Sequence, residues 1–229
     1  LMPQIKNAES SLANLCAYSF LYHGEYAILK DFLIVRIYFD EKTICYHYPL
    51  GEGNRNEVLE LLKEDAKERD FDMLLICGDT VSHEDIQGAS DPIFRPDFFD
   101  YLYLREDLQN LKGRKYQSKR NHINKFKSLY DWTFEILKPE NLSDCLAFED
   151  KWLEDAALRN PDFLSDYQKE RRIVEYLLSN IEELGIFAGM IKVEDKIVAF
   201  SIGSRINHET FATHIEKADR NFEGSFAMI

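Results

Sequence analysis

The chain has 229 residues, 45% of them hydrophobic and 13% aromatic, which is enough for one large or two small packed domains. With 28 basic against 41 acidic residues it carries a formal net charge of -13, which argues against a general nucleic-acid coat protein because non-specific phosphate binding needs a positive surface. No apolar run reaches the roughly 18 residues of a membrane helix, and LMPQIKNAESSLANLC has neither a basic region ahead of an apolar core nor a small-residue cleavage site, so the expected location is cytoplasmic, at most peripheral to a membrane.

Leucines and alanines at helical spacing in AESSLANLCAYSFLY predict a helix from about Ser10 to Tyr22. YAILKDFLIVRIYF holds a Lys-Asp turn between two β-rich runs, and TICYHYPL continues the meander until Pro49 and the glycines of GEGN break it. NEVLELLKEDAKERD sets Val58, Leu59, Leu62 and Ala66 at helical intervals, with Asn54 or Asn56 as cap, and FDMLLICG reads as a buried strand. The aperiodic SHEDIQGASDPIFRPDFFDYLYL, with its two prolines, marks a junction between units 1–98 and 99–229. REDLQNLKGRKYQSKRNHINKFKSLY then predicts one or two helices, DWTFEIL a strand, and NLSDCLAFEDKWLEDAAL and SDYQKERRIVEYLLSNIEEL amphipathic helices. Three strands follow in IFAGMIKVE, KIVAFSIGSRI and TFATHIEKA, and DRNFEGSFAMI opens a helix near Phe222.

That order predicts an α+β fold of two tandem units with mostly antiparallel sheets and no literal sequence repeat. A helix opening at Phe222 has only about two turns before the last residue, so the second unit is expected to be C-terminally incomplete in this chain. Cys16, Cys45, Cys77 and Cys145 lie far apart without CxxC pairs, and the six histidines are scattered. The cysteines are expected to be structural thiols, and no metal site is expected.

One stretch inverts the charge. LKGRKYQSKRNHINKFKSLY, 111–130, holds seven basic residues and no acidic one, while the rest of the chain holds 21 basic and 41 acidic residues, a net of -20. At 100° per residue Tyr116, Ile123, Phe126 and Tyr130 form one stripe. Lys119 projects into that stripe, Arg120 and Lys127 lie on its margin, and Arg114 and Lys125 point away. One reading is that Lys119 snorkels and the other cations balance the acidic helices. In the other, Lys119 and Arg120 line a cleft between the units and hold a phosphate-rich ligand such as a nucleotide or tRNA end, with Tyr116 and Phe126 near its bases.

The segment from YLYLREDLQNLKGRKYQSKR to DWTFEIL, with PLGEGNRNEVLELL upstream and FSIGSRINHETFATHIEKADRNFEGSFAMI downstream, resembles the family of the phosphatidylglycerol lysyltransferase C-terminal domain. The resemblance spans nearly the whole chain. It implies a relation to Fem-type aminoacyl transferases and the GNAT acyltransferase fold, usually in two copies. In GNAT enzymes a loop Arg/Gln-x-x-Gly-x-Gly/Ala cradles the coenzyme A pyrophosphate with backbone N–H groups. Aligned on Gly224, this chain reads NFEGSF, with Asn221 in place of the Arg/Gln and Phe226 in place of the last small residue, where it would obstruct a pyrophosphate. In the strand before the loop, Thr210, Ala212, His214 and Glu216 share one face, and Phe211, Thr213, Ile215 and Lys217 share the other. His214 or Glu216 can be the base of a transfer. Alternatively His214 is a satisfied, partly buried histidine and Glu216 pairs with Arg220 or Arg205.

The expected function is transfer of an acyl or aminoacyl group, with aminoacyl-tRNA as donor, no required cofactor, and a lipid, peptide or small-molecule acceptor. Donor-side residues would be Lys119, Arg120, Arg220, Asn221, Gly224 and Ser225. The alternatives are an acetyl-CoA-dependent N-acetyltransferase and a non-catalytic ligand-binding module on the same fold.

Overall fold

A computed structural model describes residues 7–77, 96 and 99–229. The expected junction falls mostly on residues outside this set. The chain divides after Phe99 into two compact units, with Arg205–Phe211 counted to the first.

In the first unit Ser11 caps α1 (Leu12–Tyr22), its hydroxyl accepting from the Asn14 N–H. Strands β1 (Glu25–Leu29) and β2 (Phe32–Tyr38) form an antiparallel hairpin. Lys30 and Asp31 make its turn, both at positive φ of 49° and 66°, the conformation that matches strand twist in a two-residue hairpin. β3 (Thr43–His47) pairs antiparallel with β2, as does the short β4 (Leu50–Gly51). α2 (Arg55–Glu68) is capped by Asn54, whose side chain accepts from the Glu57 N–H. Its Val58, Leu59, Leu62 and Ala66 are the residues it buries, against Phe32, Ile34, Ile44 and Tyr46 of the sheet. Each such side chain contributes about 1.5–3 kcal/mol of burial, Ala66 less.

The sheets are mostly antiparallel, as expected, but the expectation of a buried strand in FDMLLICG changes. β5 (Asp72–Ile76) runs parallel to β3, in a sheet otherwise antiparallel, and lies at the sheet edge, exposed or half-buried along its length. An apolar run can be an edge strand as well as a buried one, because periodicity does not distinguish them.

The second unit opens with α3 (Arg105–Asn110), one turn of tighter helix at Arg114–Tyr116, and α4 (Gln117–Leu129). β6 (Trp132–Ile136), β7 (Ile186–Val193), β8 (Lys196–Arg205) and β9 (Phe211–Ala218) form one sheet in chain order, with β6–β7 and β7–β8 antiparallel. Between β6 and β7 run α5 (Leu142–Arg159) and α6 (Leu164–Ser179). α7 (Ser225–Met228) begins three residues later than the sequence suggests.

Strand alternation sends successive β9 side chains to opposite faces. Ala218 joins Phe126 of α4, Ile191, Val193 and Val198 in one core, closed by Phe222, Met228 and Ile229. Lys217 points the other way, to α6. On that side Phe148 of α5 meets Phe200 edge-on at 5.8 Å between ring centroids. The sheet is therefore covered on one face by α4 and α7 and on the other by α5 and α6.

Candidate functional site at the end of the last strand

α5 presents Phe148, Lys151, Trp152, Asp155 and Arg159 at helical spacing, so all lie on one side of the helix. They face Ala218 at the end of β9 and Asp219, Arg220 and Asn221 after it, enclosing a cleft of about 160 Å³. Lys151, Arg159 and Arg220 bring positive charge to it, Phe148 and Trp152 bring rings, and Asp155 and Asp219 bring carboxylates. Asp219 is committed: one oxygen accepts the Asn221 N–H at 2.9 Å and the other lies 3.9 Å from Lys151. Asp155 is half-buried and has no ion pair or hydrogen bond among the described residues.

Beneath the cleft lies a buried charge cluster. Lys217 is only 4% exposed; it donates to Glu170 of α6, and its ammonium sits 3.4 Å from the centre of the Trp152 ring. Tyr167 of α6 backs Trp152 at 5.8 Å, edge to face. One turn earlier on α5, Glu149 is 1% exposed, and its Oε2 has no hydrogen-bond partner among the described residues. Burial pushes its carboxyl up to about 7; Lys217 and Arg171 oppose that rise, and Glu170 and Asp150 add to it. Arg171 is itself held by Asp150 at 2.5 Å and Glu175 at 3.1 Å, tying α6 to α5.

Of the residues expected on the donor side, Arg220 and Asn221 line this cleft. Gly224 and Ser225 build the loop behind them. Gly224 has φ +89°, and a Cβ there would lie 2.4 Å from the His122 carbonyl oxygen, so glycine is what lets the loop approach α4. Ser225 is buried and its hydroxyl donates to the Asp219 carbonyl at 2.8 Å. The backbone N–H groups of Asn221, Phe222, Glu223 and Ser225 go to the Asp219 side chain, the Asp219 carbonyl, the Tyr130 hydroxyl and the Phe222 carbonyl. They are spent within the unit rather than aimed at a pyrophosphate. Phe226, expected to obstruct such a group, is 62% exposed.

His214 and Glu216 lie on the face of β9 opposite Lys217 and do not line the cleft. His214 Nε2 is 2.8 Å from the Ser204 hydroxyl, and burial lowers its pKa, with Asp100 opposing. Glu216 is exposed and makes no ion pair with Arg220 or Arg205 among the described residues.

The basic stretch is also divided. Arg120 donates to the carbonyls of Leu111 and Gly113 and to the Gln117 side chain, fastening the loop ahead of α4. Lys115 pairs with Asp107 at 2.9 Å, and Lys127 lies over the Trp132 ring. Lys119 is exposed, along a separate trough.

Trp152, Asp155, Arg159, Lys217 and Glu149 were not singled out in the sequence. Two signals existed: a lysine alternating with Phe211, Thr213 and Ile215 on one strand face, and a glutamate on the buried side of α5 between Cys145 and Ala156. Charges at core-facing positions mark partnered or functional sites.

The four free cysteines do not enter the cleft. Burial pushes the thiols of Cys45 and Cys77 up to about 11 and that of Cys145 to about 12. No group of three or more His, Cys, Asp or Glu among the described residues is arranged to hold a metal ion.

These features define the class: a mixed α+β protein with antiparallel-rich sheets, whose second unit opens a cationic, aromatic cleft beside its last strand. The chain belongs to the phosphatidylglycerol lysyltransferase C-terminal family, whose model matches residues 4–229. It is similar to a crystal structure of a conserved protein of unknown function from Bacteroides thetaiotaomicron VPI-5482, with TM-score 0.85 and 36% identity over 99% of this chain and 77% of that one. It shares its fold with the C-terminal domain of a protein described as a lysylphosphatidylglycerol synthetase from Agrobacterium fabrum, at TM-score 0.58 and 13% identity over 99% of this chain and 69% of that one. An uncharacterised protein of Mycoplasmoides gallisepticum is 23% identical over 187 residues, 79% of this chain. The chain spans 59% of that relative's length.

Proposed function

We propose that the cleft between α5 and the end of β9 is the transfer site of an aminoacyltransferase, with the 3′ end of an aminoacyl-tRNA as donor and an amine or hydroxyl as acceptor. One observation carries this reading: in a chain of net charge -13, three cations, two aromatic rings and two carboxylates, one of them engaged by Lys151 and the Asn221 N–H, converge on a single cleft over a buried lysine. Cations for phosphates and rings for stacked bases are what a single-stranded nucleic-acid end requires. The family name supports the reaction type, and the order β6, α5, α6, β7, β8, β9, loop, α7 supports the GNAT-like reading of this unit. The four loop N–H groups already spent within the unit, those of Asn221, Phe222, Glu223 and Ser225, favour an aminoacyl ester over acetyl-CoA.

In this mechanism Arg159, Arg220 and Lys151 hold donor phosphates, and Trp152 and Phe148 receive the terminal base. Lys217 and Glu170 fix Trp152 from behind as positioning residues. The acceptor's N–H or O–H attacks the ester carbonyl, and its proton passes to Asp155. The ester C–O bond breaks as the new C–N or C–O bond forms, and the leaving ribose oxygen takes the proton back from Asp155. A positioned base contributes about 10²–10⁴-fold to such a step. His214 and Glu216 take no part.

The test is consumption of radiolabelled bulk aminoacyl-tRNA by the full-length protein with lipid, peptide or small-amine acceptors, and acetyl-CoA as a parallel donor. Asp155→Asn is expected to slow transfer by about 10²-fold or more with little change in tRNA affinity. Turnover of acetyl-CoA with none of aminoacyl-tRNA would replace the donor. Loss of transfer in His214→Ala with full activity in Asp155→Asn would move the base to the other face of β9.

A further inference from the structure

The buried cluster beneath the cleft brings one lysine to two carboxylates. Lys217 of β9 donates to Glu170 of α6, and its ammonium rests on the Trp152 ring, 3.4 Å from the centroid. An ammonium carries three N–H donors, and buried Lys217 has little water to accept from the others. Glu149 is the second carboxylate. It lies one turn before Trp152 on the same side of α5, buried, and its Oε2 has no hydrogen-bond partner among the described residues.

A buried carboxylate without a partner costs far more than the neutral acid, so this arrangement is the one protonated Glu149 adopts. Of the charges that act on Glu149, Lys217 is the strongest; Arg171 of α6 also attracts it, while Glu170 of α6 and Asp150 of α5 repel it. Arg171 is already held by Asp150 and Glu175. The Cys145 thiol, on α5 itself, stays protonated, pushed up to about 12. Lys217 is therefore the cation that an ionised Glu149 recruits. That recruitment competes with the cation–π contact fixing Trp152, a ring that lines the cleft.

We propose that Glu149 is a positioning residue that sets the cleft through Lys217: as the neutral acid it leaves Lys217 on Glu170 and the Trp152 ring, and as a carboxylate it draws Lys217 off that ring and releases Trp152. The exchange falls in the neutral range, because burial holds the Glu149 carboxyl near 7. With Trp152 fixed, the cleft offers a stacking platform to the terminal base of its donor; with Trp152 released, the platform is lost. This effect on the donor rests on the reading of the cleft as the transfer site, whereas the movement of Trp152 does not. Binding that requires the protonated form weakens as pH rises through about 7, by up to about tenfold between pH 6 and pH 8.

The chain has two tryptophans, Trp132 and Trp152, so in the full chain carrying Trp132→Phe the indole fluorescence reports Trp152 alone. Because a charge resting on the ring shifts its emission, a pH titration is expected to show a transition near 7 that Glu149→Gln abolishes. Circular dichroism at pH 6 checks that both variants are folded. The second arm is binding of bulk deacylated tRNA, which keeps the terminal base, at pH 6 and pH 8. Wild-type affinity is expected to be up to about tenfold weaker at pH 8, and that of Glu149→Gln equal at both. Trp152 emission that stays flat through neutral pH, or a transition retained in Glu149→Gln, would overturn the proposal. So would a tRNA affinity with the same pH dependence in wild type and Glu149→Gln. Absence of tRNA binding at either pH, with a Trp152 transition that Glu149→Gln removes, would refute the donor reading and uphold the control of Trp152 by Glu149.

Discussion

Glu149 and Lys217 are the residues whose environment differs most from what their type prefers. The Glu149 carboxyl stands near 7 in the folded protein against 4.5 for an ordinary glutamate, so the native state holds its proton more tightly than the unfolded chain does. The stabilisation this gives is complete below about pH 4.5 and is lost as pH rises through about 7. Glu149→Gln keeps the neutral shape at every pH. Urea unfolding at pH 5 and pH 8 should therefore show the variant gaining on the wild type at the higher pH by up to about 3 kcal/mol. An equal difference at both pH values would contradict the buried, unpaired carboxyl. Lys217→Met leaves Glu170, whose side chain is 35% exposed, without its cation and should cost about 1–3 kcal/mol at pH 8, where Glu149 is also ionised, and less at pH 5. At Gly224 the objection to a side chain is both conformational and steric, with positive φ and a carbonyl in the way. Gly224→Ala should lower stability by about 1–3 kcal/mol in the same assay.

Among the elements, α2 was the most legible in the sequence. Its four apolar positions, its cap at Asn54 and its contact with a meander sheet all follow from local pattern. Asn54→Ala should cost about 1 kcal/mol and leave cleft chemistry untouched, as unfolding and transfer assays together would show. α4 is less legible: Tyr116 and Phe126 of the expected apolar stripe are buried, but Ile123 and Tyr130 are only half-buried, so Lys119 on the same side of the helix reaches solvent. On β9, alternation correctly separated His214 and Glu216 from Lys217. Which face carried the cleft depended on α5, whose Trp152 and Arg159 come more than fifty residues earlier in the chain. The glycine loop shows the same limit, since its N–H groups are spent partly on Tyr130, 93 residues away.

At the scale of the whole molecule, the net charge of -13 conceals two separate cationic places in the second unit, one a cleft with rings and the other an exposed trough with leucines. The cleft is the one proposed for a nucleic-acid end. The direct measurement is binding of bulk aminoacyl-tRNA to the full-length protein at two salt concentrations, for wild type, Arg159→Glu/Arg220→Glu and Lys112→Glu/Lys119→Glu. Wild-type binding that weakens with salt, falls about tenfold or more in the Arg159/Arg220 variant and persists in the Lys112/Lys119 variant is the predicted result. Binding that survives Arg159→Glu/Arg220→Glu, or no binding by the wild type at either salt concentration, would contradict the assignment of the cleft to an aminoacyl-tRNA donor.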